Sequence, residues 1–354
     1  MQNGEKKKVK IKYILSILFL ILLIVVTFVV LFTKYSFNEL MMVIRVVDFK
    51  YVFIGVLMIF VYIYFEGVAM RELFKAQKIK VSRKANFLYS AIDYYFCSIT
   101  PSCSGGQPMV AYYMKKDNIN LTNSTLVLLI NTALFKIVLI ILSLISAICC
   151  HNLLFRYPIL VVLFIIGLII NVFLITLCFL VAHKRVWVES VGVRFIFLLS
   201  KLHIIKNPIT ISKNFIRKMD NYEKGALLIR TNKKEFYLAL LYNFIQRIAF
   251  FSISYFVYLA FKSKFVELSG YGFIELFSIQ VIIALCVDSL PLPGGVGISE
   301  YLYVLVFGIV YEVGDSSFVA SAMLLTRAIN FYVPLIVTGI FVVVKQLINI
   351  KTHN

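Results

Sequence analysis

Apolar stretches long enough to cross a bilayer recur from one end of this chain to the other, and they restrict it to few architectures. Ile159–Val181 carries no charged side chain. Several other runs also exceed the roughly 18 apolar residues that mark a membrane helix. In hydrocarbon, backbone polar groups have no water to bond with, so such runs fold as helices that satisfy them internally. The composition agrees: 61% hydrophobic residues, 15% charged residues and a mean hydropathy of +0.92. A soluble domain is nearer about half apolar and about a quarter charged. A large soluble helical core would need far more charged surface, so the chain reads as an all-α polytopic membrane protein.

Six runs read as full spans: Ile11–Phe32, Tyr51–Phe65, Ser124–Ile148, Ile159–Val181, Phe236–Phe261 and Phe318–Val344. The second is short and extends into Glu66–Met70. The N-terminal Lys6-Lys7-Lys8 before an apolar run resembles a signal peptide in outline. That run is too long for an h-region, and no small-residue cleavage site follows it, so it reads as an uncleaved first span.

The net charge of +19 is concentrated in short loops between apolar runs. That pattern fits retention on the cytoplasmic side against anionic lipid, rather than direct binding of nucleic acid. Lys6 to Lys12, Arg71 to Lys84, Lys115-Lys116, the segment His183–Glu235 and Lys345 to Lys351 then lie inside. Arg156, Glu312 and Asp315 lie outside. Both termini are cytoplasmic, in a cell membrane. Phe195, Leu198, Leu199, Leu202 and Ile205 recur near helical spacing among basic residues, so His183–Glu235 reads either as an amphipathic helix on the inner leaflet or as a basic connecting loop.

Two apolar segments are broken. One carries Thr100-Pro101-Ser102-Cys103-Ser104-Gly105-Gly106-Gln107-Pro108, the other Leu290-Pro291-Leu292-Pro293-Gly294-Gly295-Val296-Gly297. Pro101, Pro108, Pro291 and Pro293 cannot continue a helix. Gly105, Gly106, Gly294, Gly295 and Gly297 permit φ > 0 and close backbone approach. The sidedness count works when neither segment crosses. Two opposed re-entrant hairpins follow, 86–114 with Met109–Met114 as its short return arm, and 271–311. The domain reading is therefore 1–50 (basic tail, first span, outer loop), 51–150 (first repeat), 151–235 (fourth span and basic segment), 236–347 (second repeat) and 348–354 (tail). The two repeats are inverted, an arrangement that puts a transport site at the repeat interface near the membrane midplane.

Ionisable residues at membrane depth are costly and usually functional. Lys136, Arg247 and Arg327 lie within spans, and Asp93, Asp288 and Glu300 lie on the hairpin arms. Three cations suit an anionic headgroup such as a lipid phosphate. The competing reading is that these residues pair and hold the hairpins, most readily at Asp93 and Asp288. Asn243 and Gln246 add hydrogen-bonding capacity beside Arg247. Asn131 and Asn330 read first as helix–helix glue. The six cysteines read as buried small hydrophobes, and the four scattered histidines suggest no metal site. No nucleotide-hydrolysis motif is present, and no catalytic residues or cofactor are indicated.

The two broken motifs carry a resemblance. Thr100-Pro101 with Gly105-Gly106-Gln107-Pro108 resembles the P…GG-E-P segment of the lysylphosphatidylglycerol synthase transmembrane, or flippase-like, family. Pro291-Leu292-Pro293-Gly294-Gly295-Val296-Gly297 with Glu300 resembles its P-x-P-G-G-x-G-x-x-E segment. Gln107 departs from the glutamate common there. The family includes the membrane half of the bacterial multiple peptide resistance factor, a determinant of antimicrobial peptide resistance. The resemblance implies handling of membrane lipids, with an anionic or aminoacylated phospholipid as the partner. A flippase moving such a lipid between leaflets is the leading expectation. The family name implies the alternative of phosphatidylglycerol lysyltransferase, with lysyl transfer from lysyl-tRNA. The chain ends at Asn354, soon after its last span, so transfer by this chain alone is not expected. A scaffold for a separate soluble synthase is the third reading.

Overall fold

In the computed structural model, the described residues are 47–100, 103–201, 207–263, 270–288, 298–311 and 316–352. All regular structure among them is helical. Five helices are long and apolar enough to cross a membrane. The expected first span Ile11–Phe32 lies outside the described residues, as do Pro101, Pro291, Pro293, Gly294, Gly295 and Gly297.

The frame is the antiparallel pair α1 (Phe49–Ala76) and α9 (Lys233–Lys262), the most extensive helix contact in the molecule. Asp48 caps α1, its carboxylate accepting from Lys50 N at 2.9 Å. Asp48 N donates to Ala260 O (3.0 Å) at one end of the pair, and Asn232 Nδ2 donates to Ala76 O (2.9 Å) at the other. The two helices thus run in register over their full length. Twenty-eight residues rise about 42 Å, enough for the hydrocarbon core and both interfaces. The expected span Tyr51–Phe65 is therefore a full-length helix, because Glu66, Arg71 and Glu72 do not interrupt it.

The first hairpin consists of α2 (Arg83–Ile99) and α3 (Gly106–Lys116). Ser82 caps α2, its hydroxyl accepting from Ala85 N at 3.1 Å. Gly67 of α1 admits the α2 backbone: a Cβ there would lie 2.6 Å from Asn86 O. The arms rise only about 26 Å and 17 Å, each less than the roughly 30 Å of a hydrocarbon core. Tyr89 at the start of α2 donates to Asp117 Oδ2 (2.8 Å) at the end of α3, which closes the hairpin's base. The return arm begins at Gly106 rather than Met109, and Pro108 sits in its first turn, where a missing N–H costs nothing. Gly105 has φ −83°, and its neighbour Gly106 serves close approach instead of left-handed backbone.

α4 (Leu121–Cys149), short α5 (His151–Arg156) and α6 (Pro158–His183) follow. On α6, Val162, Ile165, Ile166, Ile169, Val172 and Phe173 are exposed at helical spacing, a lipid-facing stripe. The basic segment contains two helices, α7 (Arg185–Lys201) and α8 (Pro208–Thr231), rather than a simple loop; Leu202 and Ile205 lie outside the described residues. The two helices pack closely at Gly192, where a Cβ would meet the Phe215 ring at 2.5 Å.

The second hairpin comprises α10 (Phe273–Asp288) and α11 (Ile298–Phe307). Phe273 packs against Tyr255 of α9 with ring centroids 5.2 Å apart. Tyr311, just past α11, packs against Tyr258 and Phe261 at 6.0 and 6.2 Å. Both ends of this hairpin therefore meet the same end of α9, the end opposite Asn232. The first hairpin packs at the other end of the frame, beside the C-terminal half of α1. The last expected span is not one continuous α-helix: α12 (Ser316–Arg327) leads into a π-helical turn, Ala328–Tyr332, and then α13 (Val333–Thr352). Such π turns concentrate at functional sites.

Candidate functional site

The inner ends of the hairpin arms and the frame helices line a cavity of about 450 Å³, within the range of small-molecule sites. All six ionisable residues singled out from the sequence line it: Asp93, Lys136, Arg247, Asp288, Glu300 and Arg327. They come from six different helices, and the antiparallel frame with its two half-length hairpins brings them to one depth.

Two of the cations are paired. Lys136 Nζ of α4 donates to Asp288 Oδ2 at the tip of α10 (2.8 Å) and to Asn171 Oδ1 of α6 (3.1 Å). Asp288 therefore has the structural partner that the competing reading expected. Arg327, the last residue of α12, lies 3.5 Å from Glu300 Oε1 in the first turn of α11 and also donates to Ser299 Oγ. A carboxylate in a first turn complements the helix dipole.

Arg247 differs. It is 5% exposed on α9 and lines the cavity. Its guanidinium carbon stands 3.1 Å from the centroid of Phe135, with Phe251 at 5.6 Å. Its Nε and Nη2 hydrogens have no hydrogen-bond partner among the described residues. Aromatic contact covers the face of the guanidinium and leaves Nε and Nη2, on the edge that forks onto carboxylate or phosphate, buried and without a hydrogen-bond partner among the described residues.

Asn243, one turn before Arg247, donates to Asn131 Oδ1 of α4 (3.2 Å), so Asn131 is helix–helix glue. Asn131 and Asn330 both line the cavity, and the Asn330 backbone carbonyl accepts from Tyr94. Gln107, where the family motif commonly has glutamate, donates to Thr132 Oγ1 and also lines the cavity. A Cβ on Gly106 would sit 2.4 Å from Asp93 Oδ1 and 2.5 Å from Cys97 Sγ, so only glycine lets the start of α3 close over α2.

Sequence reasoning missed Glu66. It is 8% exposed, lines the cavity from α1 and lies within hydrogen-bonding reach of the Asp93 carboxyl. The signal was present: an acid inside an apolar helix. The expected span extends into Glu66–Met70, but Glu66 is not counted among the ionisable residues at depth.

A model of the lysylphosphatidylglycerol synthase TM region matches residues 13–338. The chain belongs to this family. The match covers both hairpins, the frame pair and every residue lining the cavity, so the site lies wholly within the family's membrane region. Among curated proteins, none matches the chain.

Proposed function

We propose that this chain is a flippase-like transporter that carries a phospholipid with an anionic or aminoacylated headgroup between leaflets, through the cavity between the hairpin tips. The observation that carries this reading is Arg247. A buried guanidinium with open N–H donors is costly to leave unpaired, and a phosphate matches its fork. Lys136 and Arg327 already have carboxylate partners, so they serve first to hold the second hairpin and only second to meet a headgroup. The opposed half-length hairpins suit such a role, because non-helical backbone at membrane depth is tolerated only where protein or a polar cavity surrounds it.

The test is lipid translocation in reconstituted vesicles, read leaflet by leaflet with fluorescent anionic and aminoacylated phosphatidylglycerol. Arg247→Ala should slow translocation by at least about tenfold, the loss of one charge-assisted contact of roughly 1.4 kcal/mol or more. Arg247→Lys should fall between. Unchanged rates in both variants would refute the assignment. Appearance of newly aminoacylated lipid in extracts from cells expressing the chain alone would favour the transferase reading instead.

A further inference from the structure

Glu66 and Asp93 have no role in the headgroup reading above, yet both line the cavity with Arg247. Glu66 comes from α1 and Asp93 from α2, and their side chains lie within hydrogen-bonding reach of each other. An ionised carboxylate only accepts hydrogen bonds, so a bond between two carboxyls requires a proton on one of them. Asp93 Oδ1 is buried with no hydrogen-bond partner among the described residues, and Gly106 leaves it the space it occupies. The unpartnered edge of Arg247 completes the cluster.

Charge balance then gives the pair a task. Among the residues lining the cavity, Lys136 with Asp288 and Arg327 with Glu300 each sum to zero. What is left is one cation, Arg247, against two carboxyls. With a single proton held between Glu66 and Asp93, the cavity is neutral. A phosphodiester arriving at Arg247 adds one negative charge in a water-poor site, where an uncompensated charge is expensive. A second proton on the acid pair restores neutrality with the phosphate at Arg247. The other titratable groups around the pair are Tyr62 on α1, Tyr94 and Cys97 on α2, and Cys103 at the start of the return arm.

We infer that Glu66 and Asp93 form a proton site coupled to anion binding at Arg247, so that one proton enters the cavity with each phosphodiester headgroup. This rests on the headgroup reading and adds to it a candidate energy source, the proton gradient. Because binding takes up a proton, affinity for the anion falls as pH rises.

The experiment is calorimetric titration of the purified full chain in nanodiscs with dihexanoyl phosphatidylglycerol, and dihexanoyl phosphatidylcholine as the zwitterionic control. Buffers of different ionisation enthalpy report the protons taken up per lipid bound. Wild type should take up about one, and its affinity should fall about tenfold per pH unit over the window in which uptake is complete. Glu66→Gln/Asp93→Asn should bind with no uptake and a flat pH profile. Glu66→Asp, the milder change, should keep uptake and covers the case in which the double variant does not fold. Arg247→Ala should lose binding at every pH. Binding that depends on Arg247 but takes up no proton overturns the coupling and leaves the headgroup reading standing. Uptake that persists in Glu66→Gln/Asp93→Asn overturns the assignment to this pair. Binding unaffected by Arg247→Ala, or no binding by wild type, overturns both.

Discussion

The Lys136–Asp288 pair offers the sharpest test of how the second hairpin is held. The two groups meet at 2.8 Å, with side chains only 12% and 17% exposed. At an effective dielectric of about 20, their Coulomb attraction is about 6 kcal/mol. Desolvation of both ions offsets most of that, so the pair as a whole contributes little net stability. Removing one partner is different, because it strands a buried charge at a cost of about 3–5 kcal/mol. Lys136→Met leaves Asp288 without its cation and Asn171 without its donor. Asp288→Asn leaves Lys136 with Asn171 alone. At roughly 2 °C per kcal/mol for a chain of this size, each single variant should lower the melting temperature by about 6–10 °C. The double variant should return to within about 2 °C of wild type. Thermal unfolding in detergent, followed by reaction of a fluorogenic thiol dye with the buried cysteines, reads all four proteins. A double variant as destabilised as the two singles added together would refute the pairing argument. So would a Lys136→Met protein that melts with wild type.

Further outcomes follow from the packing. Gly67→Ala places a methyl 2.6 Å from the Asn86 carbonyl, so α2 must move away from α1; a loss of about 1–3 kcal/mol is expected in the same melting assay. Asn243→Leu removes the hydrogen bond to Asn131 and should cost about 1 kcal/mol or less, as for other interhelical bonds in membranes. Cys103 is exposed at the cavity while Cys286 is buried, so a small membrane-permeant maleimide should modify Cys103 in the folded protein and Cys286 only after unfolding, as read by peptide mass.

Much of this was legible in the sequence because the bilayer is a severe solvent. Long apolar runs admit helices, a basic loop marks a side, and an ionisable residue at depth needs a reason. Those three rules found the two broken hairpins and six residues that share one cavity. They misjudged helix ends wherever polar residues continue a helix past its apolar run. The second span reads as extending to Met70, whereas α1 continues through Arg71–Ala76. The expected span at Phe318–Val344 matches a helical stretch long and apolar enough to cross; what apolar patterning does not show is the π turn within it, beside the cavity at Asn330.

Sequence alone determined the solvent, the helical class, the two breaks and the family, since each follows from local composition and motif. Which charges meet was decided only by tertiary structure. Lys136 and Asp288 are 152 residues apart, and Arg327 and Glu300 belong to different helices. Nothing local distinguishes those two cations from Arg247. Only the packing of α4, α9 and the hairpin arms gives carboxylates to two of them and leaves the third, against Phe135, with buried donors that have no partner among the described residues.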